Sequence, residues 1–566
     1  MTDVATPPSQ SIGDAQGRFR FARVALAGSM FIMGVAGMLY EYALSALGNN
    51  LMGSSHEQIF VIIGLMMFAM GVGAAVQRRI GQPLIDRFLW IEIGLGVLGG
   101  LSGLVAFTAY GYMSSYPVVL YGLALAIGLL VGFEVPLLIR INESYAGALR
   151  ANLGEILSMD YIGSLLGALL FAYVLLARLP LAEIAIAAGV VSVVIALAGV
   201  VYFWPLVKRP KTIAAFGAAS LVVLTIAWVN AGPWVSYVEQ RSYEDPIVHR
   251  ETSVYQHVVM TRRDDRVRLY INGNLQFSSR DEVIYHDLLV HPAMHAVRSP
   301  RRVLILGGGD GLGLREVLKY PGVERVTLVD IDPAITGLAA EHPTMVELNR
   351  GAFRDARVRV VDAGSLSAGE AFRVERPSSL SAQLWSDRVV EGPEVRVAHI
   401  DADLFLREVD PSEPYDVVIC DFPDARSVAL AKLYSVEFYR RVERVLAPGG
   451  MVVVQSSSPW HASRVFRCIG TTLAEAGFEV APFHQNVPSF GHWGWHMAWR
   501  AGEIEPPARR LASLDTLRVE TGYATPAVLA AAFEFGEGLV DRTGEIRANT
   551  KMRPVILEYE RRSWTR

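Results

Sequence analysis

The chain reads as two fused parts: an N-terminal all-α, multi-pass membrane bundle of about seven helices, then a parallel α/β sheet preceded by a small β region. Three observations predict this. Seven apolar runs occupy most of the first 235 positions, each reaching the ~20 residues that cross ~30 Å of hydrocarbon as a helix. The composition turns polar and charged from about Ser236. Beyond that point strands alternate with helices, which is the pattern of a doubly wound sheet. The bulk numbers agree with a hybrid. A chain of 566 residues, 52% hydrophobic and 19% charged, is too long for one domain and too apolar for an ordinary soluble enzyme.

Residues 1–21 are small and polar, an N-terminal tail ahead of a helical membrane domain over 22–235. A cleavable signal peptide is not expected, because the first apolar run is long enough to span and others follow it. The runs cover 22–47, 57–77, 88–111, 115–139, 155–177, 180–206 and 213–234. In lipid they must be helical, since no water satisfies free backbone groups there. The spacings Gly96/Gly100, Gly99/Gly103 and Gly128/Gly132 let helices approach closely. Glu41, Glu92, Glu134 and Asp160 fall inside or near the ends of the runs. Carboxylates at that depth are costly and line a cation path, or else they snorkel or pair with a residue such as Arg140 or Arg150. For Glu92, near a helix start by this count, the second reading is expected; for the other three both stay open.

Basic residues cluster before the first run (Arg18, Arg20, Arg23) and in alternate loops: Arg78, Arg79 and Arg87; Arg140 and Arg150; Lys208, Arg209 and Lys211. The positive-inside rule puts the N-terminus in the cytoplasm. Seven crossings then place the C-terminal half on the far side, whereas one run that fails to cross leaves it in the cytoplasm; both stay open. The two cysteines, Cys420 and Cys468, have no metal-ligand spacing, so neither zinc nor a disulfide framework is expected. A net charge of −4 offers no basic stripe, and no nucleic-acid partner is expected.

The second half opens with two short strands, Val254–Met260 and Arg266–Ile271, closed by Asn272-Gly273, a hairpin signal. A small β domain is therefore drawn over 236–297 and the α/β domain over 298–566. In the latter, strands are expected over Arg302–Leu306, Arg325–Ile331, Val395–Ile400, Asp416–Cys420 and Met451–Gln455, with helices over Leu312–Tyr320 and Ala334–Glu341. The first strand ends in Gly307-Gly308-Gly309-Asp310-Gly311-Leu312-Gly313, a turn that lets a nucleoside approach the backbone. About 20 residues on, Val329-Asp330-Ile331-Asp332 ends the second strand, where a carboxylate can hold ribose hydroxyls. Asp310 would repel a pyrophosphate, so a nucleoside carrying positive charge fits better than a dinucleotide.

Several runs in the same order resemble spermidine synthases: "LYINGNLQFSSRDEVIYHDLLVHPAM", "VLILGGGDGLGLREVLKY", "VTLVDIDP", "YDVVICDFPDA", "LYSVEFYRRVERVLAPGGMVVVQSSSPW" and "VPSFGHWGW". The likeness covers roughly residues 250–500 apart from one insertion at about 363–394, and the membrane-fused branch of that family matches the layout. The resemblance implies a Rossmann-like, methyltransferase-type sheet and transfer of the aminopropyl group of decarboxylated S-adenosylmethionine to putrescine or another diamine. No metal and no permanently bound cofactor is expected. The lipid bilayer and a homo-oligomer are the other expected partners, with the chain in the cell membrane.

The resemblance also implies roles. Asp421 matches the general base and Asp424 the holder of a substrate ammonium. Asp310 matches the residue binding the aminopropyl amine, and Asp330 the acid on the ribose. Asp401-Ala402 matches the adenine-side pair, with Asp362 in reserve because "RVRVVDA" and "VRVAHIDA" both resemble that strand. Gln256 and Gln276 match glutamines lining the nucleoside pocket, and Tyr285-His286 a pair at the polyamine site. Asp332 and Asp424 read equally as turn formers or helix caps. Trp493 and Trp495 read either as channel walls or as core, and His257, His291 and His295 as structural. The family usually carries Glu where Asp330 stands and Pro after the acidic-loop Asp. Here Ala425-Arg426 follows, adding a positive charge beside a cation site. Two other readings remain: a methyltransferase on the same sheet, which Asp310 disfavours, and a membrane transporter or sensor with a polyamine-binding domain.

Overall fold

The computed structural model describes residues 10–51, 56–142, 149–176, 178–354, 358–361, 394–540 and 544–563. The chain forms two compact units, Met1–Glu244 and Asp245–Arg566.

The first unit is helical: α1 (Gln10–Leu51), α2 (His56–Val76), α3 (Leu84–Tyr112), α4 (Tyr116–Asn142), α5 (Leu149–Leu170), α6 (Leu181–Tyr202) and α7 (Pro210–Gln240). Each of the seven contains a stretch long and apolar enough to cross a membrane. The last helix runs past the boundary at 235. The glycine spacings mark close approaches. A Cβ on Gly96 would stand 2.7 Å from the Gly189 carbonyl, and one on Gly128 2.6 Å from that of Met66. Gly99 makes room for the Tyr40 ring. Outer faces carry exposed Phe60, Met67, Leu165, Val201 and Phe216, and interiors carry Met30, Leu89, Ile127 and Ile184.

Glu92 corrects an expectation. Helix α3 starts at Leu84, so Glu92 lies two turns inside it and is fully buried. It neither snorkels nor pairs with Arg140, whose guanidinium bonds Gln77 and the Ile80 carbonyl. The acid at the start of α3 is Asp86, which accepts from the Lys208 and Arg209 amides at 3.1 and 3.3 Å.

The second unit begins with an antiparallel sheet in sequence order, β1 (Ile247–Thr252), β2 (His257–Arg263), β3 (Arg266–Ile271) and β4 (Asn274–Ser278). Helix α8 (Glu282–Ala296) leads into β5 (Arg302–Gly307), α9 (Leu312–Val317), β6 (Arg325–Asp330), α10 (Pro333–Glu341), α11 (Pro343–Leu348), β7 (Val358–Val361) and β8 (Glu394–His399). Then come α12 (Ala402–Glu408), β9 (Tyr415–Asp421), α13 (Val428–Ala431), α14 (Val436–Val445), β10 (Leu446–Gln455), α15 (Ser463–Glu475), β11 (Phe478–Val487) and β12 (Gly491–Arg500). Three short helices follow: α16 (Pro507–Ala512), α17 (Pro526–Ala531) and α18 (Ile556–Ser563). The small sheet is not a separate domain. Val258, Met260, Leu269 and Phe277 share one core with Leu312, Ile335, Leu338 and Met345.

The large sheet has the order β11-β12-β10-β9-β5-β6-β8-β7. Strands from β10 to β7 are parallel, and β12 alone runs against them, pairing antiparallel with β10 on one side and β11 on the other. Alternate residues feed two layers: Val303, Ile305, Val417 and Ile419 face α8 and α9, while Leu304, Leu306, Val418 and Cys420 face α12 and α14. That two-sided burial explains why these strands read as unbroken apolar runs. The strand order reverses between β5 and β9, and such a switch opens a crevice at the carboxyl ends of the strands. The expected insertion and Asp362 lie outside the described residues, except for Glu394, which begins β8. Of the two runs resembling the adenine strand, the one ending near Asp401 is β8, and it pairs with β6.

Candidate active site

The glycine turn after β5 lies between two carboxylates. Gly307, Gly308 and Gly311 have φ of 84°, 66° and 79°, the left-handed region that a Cβ disfavours. Space is equally tight. A Cβ on Gly308 would stand 3.1 Å from Asp421 Oδ2, and one on Gly309 2.6 Å from Asp330 Oδ2. The turn is therefore glycine because Asp421, ending β9, and Asp330, ending β6, press against it from either side.

Asp330 is held through backbone: Oδ2 accepts from Gly309 N at 3.0 Å and Oδ1 from Asp332 N at 2.9 Å. Burial still raises it to about 6. Asp332 is the N-cap of α10, accepting from Ala334 N at 3.0 Å. Its other oxygen accepts from Ser253 Oγ at 2.8 Å, and Ser253 ties down the turn that carries Gln256. Gln276 is on β4 and donates to the Asn274 carbonyl at 3.1 Å. Asp310 accepts from Leu312 N at 2.9 Å. Burial raises its carboxyl, opposed by the neighbouring His286 charge.

Asp421 Oδ1 accepts from the Tyr285 hydroxyl at 2.7 Å. Burial raises Asp421 to about 6, and the Asp310 charge adds to the rise while His286 and Tyr285 oppose it. Tyr285 itself is walled by Trp495 at 5.6 Å and Phe490 at 6.1 Å. Trp493 and Trp495 are both core residues, and Trp495 stacks on Phe483. Beside Tyr285, His286 Nδ1 lies 2.9 Å from Glu282 Oε2. Burial opposes charge there, yet the Glu282 carboxylate outweighs it and pushes His286 up to about 9. Glu282 is clamped by both Arg315 terminal nitrogens at 2.9 and 3.0 Å.

Asp424 is not a helix cap. It lies next to Gln455, whose Nε2 donates to Asp424 Oδ1 at 3.2 Å and to the Phe422 carbonyl at 2.9 Å. Arg426 stands 3.6 Å from Asp424 Oδ2, and it also pairs with Glu560 at 3.2 Å and bonds Asn274. Burial raises Asp424 and the Arg426 charge opposes the rise. Asp401 caps α12, accepting from Asp403 N at 3.0 Å and Leu404 N at 3.2 Å, and pairs with Lys432; Ala402 is buried just behind it.

The sequence-expected residues thus divide. Asp310, Asp330, Asp421, Tyr285 and His286 cluster at the switch point, with Asp424 one turn beyond Asp421. Gln256 and Gln276 belong to the small sheet and its turn, with contacts local to it. Sequence reasoning passed over Glu282, Arg315, Gln455 and Tyr434, whose hydroxyl donates to the Phe422 and Pro423 carbonyls at 3.1 and 3.0 Å. The spacing of Glu282 four residues before His286 on one helix was the available signal.

One buried group of metal-ligand types, Asp287, His291 and Glu316, lies along α8 and α9. Its donors are already engaged. His291 Nε2 lies 3.2 and 3.0 Å from the two carboxylates, Glu316 also meets Arg315 and Lys319, and Asp287 accepts from Tyr523 N and Ala524 N. The two adjoining cations, Arg315 and Lys319, tie the group into an ion network and disfavour a divalent ion there. His295 accepts from Arg518 N at 2.9 Å and His257 bonds Thr252 at 2.6 Å.

The spermine/spermidine synthase domain family matches residues 282–366 and 380–508. The chain is 38% identical over 576 residues to a polyamine aminopropyltransferase of Streptomyces coelicolor, covering 99% of this chain and 98% of that protein. It is 36% identical to one of Ralstonia nicotianae, covering 99% of each. A solved spermidine synthase from Thermotoga maritima is 20% identical with a TM-score of 0.40, covering 51% of this chain and 84% of that one. With relatives matched end to end, membrane-type helices included, the chain belongs to the polyamine aminopropyltransferase family. It is an enzyme of that kind, and aminopropyl transfer displaces the methyltransferase reading.

Proposed function

We propose that the enzyme transfers the aminopropyl group of decarboxylated S-adenosylmethionine to putrescine, giving spermidine and methylthioadenosine, from a catalytic unit anchored by its apolar helices in a cell membrane. The observation that carries this reading is the set of four half-buried carboxylates, Asp310, Asp330, Asp421 and Asp424, around the glycine turn, each raised by loss of solvent. A site for two cationic substrates needs this excess of negative charge.

The reaction needs one proton removed and no redox change. Asp421 takes a proton from the acceptor's primary ammonium, the freed amine attacks the carbon beside the sulfonium, the carbon–sulfur bond breaks with its electrons going to sulfur, and the product leaves with its new nitrogen protonated. Amines of this type are protonated at neutral pH, with pKa near ~10. Asp421, at about 6, is mostly ionised at pH 7 yet still basic enough to accept the proton. Tyr285 fixes which oxygen of Asp421 faces the amine. Asp424 holds the distal ammonium in competition with Arg426. Asp310 takes the aminopropyl ammonium, Asp330 the ribose and Asp401-Ala402 the adenine side, with Gln256 and Gln276 closing over the nucleoside and tail.

Asp310 also favours the decarboxylated donor, since an opposed carboxylate pair in a buried site disfavours charge on both. Methylthioadenosine release by the purified protein, with each form of the donor and a panel of diamines, tests the reading. Turnover with putrescine and the decarboxylated donor is expected. Calorimetry showing equal or tighter binding of the carboxylated donor would overturn the role of Asp310. Protease access to a C-terminal tag in sealed vesicles tests the orientation: seven crossings put the catalytic unit opposite the N-terminus, and one run that fails to cross puts it on the same side.

A further inference from the structure

The interior of the helical unit holds carboxylates that no basic side chain among the described residues satisfies. Glu92 of α3 and Glu134 of α4 are 0% and 2% exposed, and their carboxyl groups neighbour one another. Apart from what a proton shared between the two carboxyls supplies, both oxygens of Glu92 and Oε1 of Glu134 have no hydrogen-bond partner. Asp160 of α5 is next to Glu134, with its own carboxylate against α1 at Gly34. Tyr40 of α1 stands beside both glutamates, and its hydroxyl meets Ser192 of α6 at 3.1 Å. Five helices therefore turn polar groups toward one region. Among the described residues no Lys, Arg or His pairs with any of the three acids. Arg140, the basic residue nearest in α4, is spent on Gln77 and the Ile80 carbonyl.

Buried acceptors without donors are costly, and adjacent ones of like charge more so. A proton shared between the two glutamates relieves part of that cost, and a ligand that relieves the rest must bring N–H or O–H donors and positive charge. A bare metal ion needs about six oxygen ligands, and helical carbonyls are already engaged in their own ladder. An alkylammonium supplies both needs, with three donors and one charge. The walls suit its methylenes: Leu89 and Ile93 flank Glu92, Leu137 and Leu138 follow Glu134, and Met30, Met33 and Ile156 complete the same apolar cluster. Asp160 extends the acidic row, as a second ammonium on one aliphatic chain would require.

We infer that Glu92, Glu134 and Asp160 form a second binding site, inside the helical unit, for a linear aliphatic polyammonium. The inference rests on the proposed function in one respect: the catalytic unit handles the same class of molecule. The site would then sense or pass the enzyme's own substrate or product.

Equilibrium dialysis of the full chain in lipid nanodiscs with labelled putrescine and labelled spermidine tests it. Two sites per chain are expected for one or both ligands. The double variant E92Q/E134Q should retain one, with methylthioadenosine release within about twofold of the parent, since neither residue touches the reaction. Asp424→Asn should remove the other. A single site in the parent, lost in Asp424→Asn, overturns the inference and leaves the proposed function standing. Absence of both binding and turnover with every diamine overturns the proposed function instead. Displacement from the E92Q/E134Q-sensitive site by excess sodium identifies an inorganic cation site and also overturns the inference. A measurement without variants guards against misfolding. A lipophilic carbodiimide should label Glu92 or Glu134, read by peptide mass, and spermidine should protect them. Labelling unchanged by spermidine counts against the site.

Discussion

Both units of this chain bury carboxylates, and the active site and the Glu92–Glu134 pair treat them in opposite ways. In the catalytic unit each has a partner that fixes it: backbone amides on Asp330, Tyr285 on Asp421, Leu312 N on Asp310, Gln455 on Asp424. Even the deepest, Asp287, accepts two backbone amides, and Glu282 is clamped by Arg315. In the helical unit Asp86 is likewise held by backbone amides, whereas Glu92 has only Glu134 beside it. A carboxylate held on one oxygen and open on another is a pre-aimed group whose remaining lone pairs await a substrate. One that is open on every side is a group whose partner is missing. The first arrangement costs little to keep and suits catalysis. The second is tolerated only where a ligand or a proton completes it.

The strongest way to break this contrast is to remove the charge of the group taken as the base. Asp421→Asn keeps volume and the Tyr285 bond while abolishing proton acceptance. Turnover should fall by ~10²–10⁴ with donor binding largely kept, as is typical for loss of a general base. Single-turnover kinetics and calorimetry read the two separately. Activity within a few-fold of the parent would show that solvent can take the proton and that Asp421 only positions.

Next in size is the ion network behind the site. Glu282→Gln takes the countercharge from His286 and leaves the Arg315 guanidinium half-satisfied. Breaking one partner of a buried pair costs about 3–5 kcal/mol, a large drop in the denaturant midpoint. It also changes the pH profile. In the parent, kcat/KM should rise with pH through about 6 as Asp421 ionises and fall through about 9 as His286 loses its charge. The linkage sign follows from the raised value of His286. Its stabilising contribution is fully present below its unfolded pKa and is lost as pH rises through about 9. In Glu282→Gln the upper limb should move to lower pH while the lower limb stays. An unmoved upper limb would take His286 out of the active ionisation state.

These two predictions concern groups of unequal legibility. Asp310, Asp330 and Asp421 could be read because a strand end followed by an acid next to a glycine turn is a local pattern, and several such patterns stood in family order. Arg315, Gln455 and the pairing of β8 with β6 could not, because their meaning depends on which distant elements the fold brings together. Helix ends misled in the same way. An apolar run drawn from 88 placed Glu92 near a terminus, whereas Asp86, bonded to the Lys208 and Arg209 amides, lets the helix begin at Leu84. Burial of a charged residue breaks an apolar run on paper and not in space.

A smaller effect is expected at Arg426. Its guanidinium competes with substrate for Asp424 and is itself partly exposed. Arg426→Ala should lower the KM for the acceptor by about two- to fivefold, the worth of a partly exposed pair at 0.2–1 kcal/mol, with kcat little changed. A raised KM would mean instead that Arg426 orders the loop, through Asn274 and Glu560, more than it screens Asp424.

The least change should come from removing the helical unit altogether, and this sharpens the contrast most. Every group proposed to act on substrate lies between Gln256 and Arg426, and their supports, from the Asp332–Ser253 link to Glu560 on Arg426, lie in the second unit as well. That unit has its own two-layered core, closed by the small sheet. A fragment of residues 242–566 also keeps Asp245, whose buried carboxylate holds Arg266 at 2.6 Å and Arg263 at 3.0 Å at the edge of that sheet. It should therefore fold and release methylthioadenosine within about twofold of the full chain, as expected when no catalytic contact is deleted. The same fragment should have lost one of the two polyammonium sites. A fragment that bound donor but turned over only when the helices were present would mean that the bundle completes the acceptor site. Glu92, Glu134 and Asp160 would then belong to catalysis, and the two sets of carboxylates would be one site.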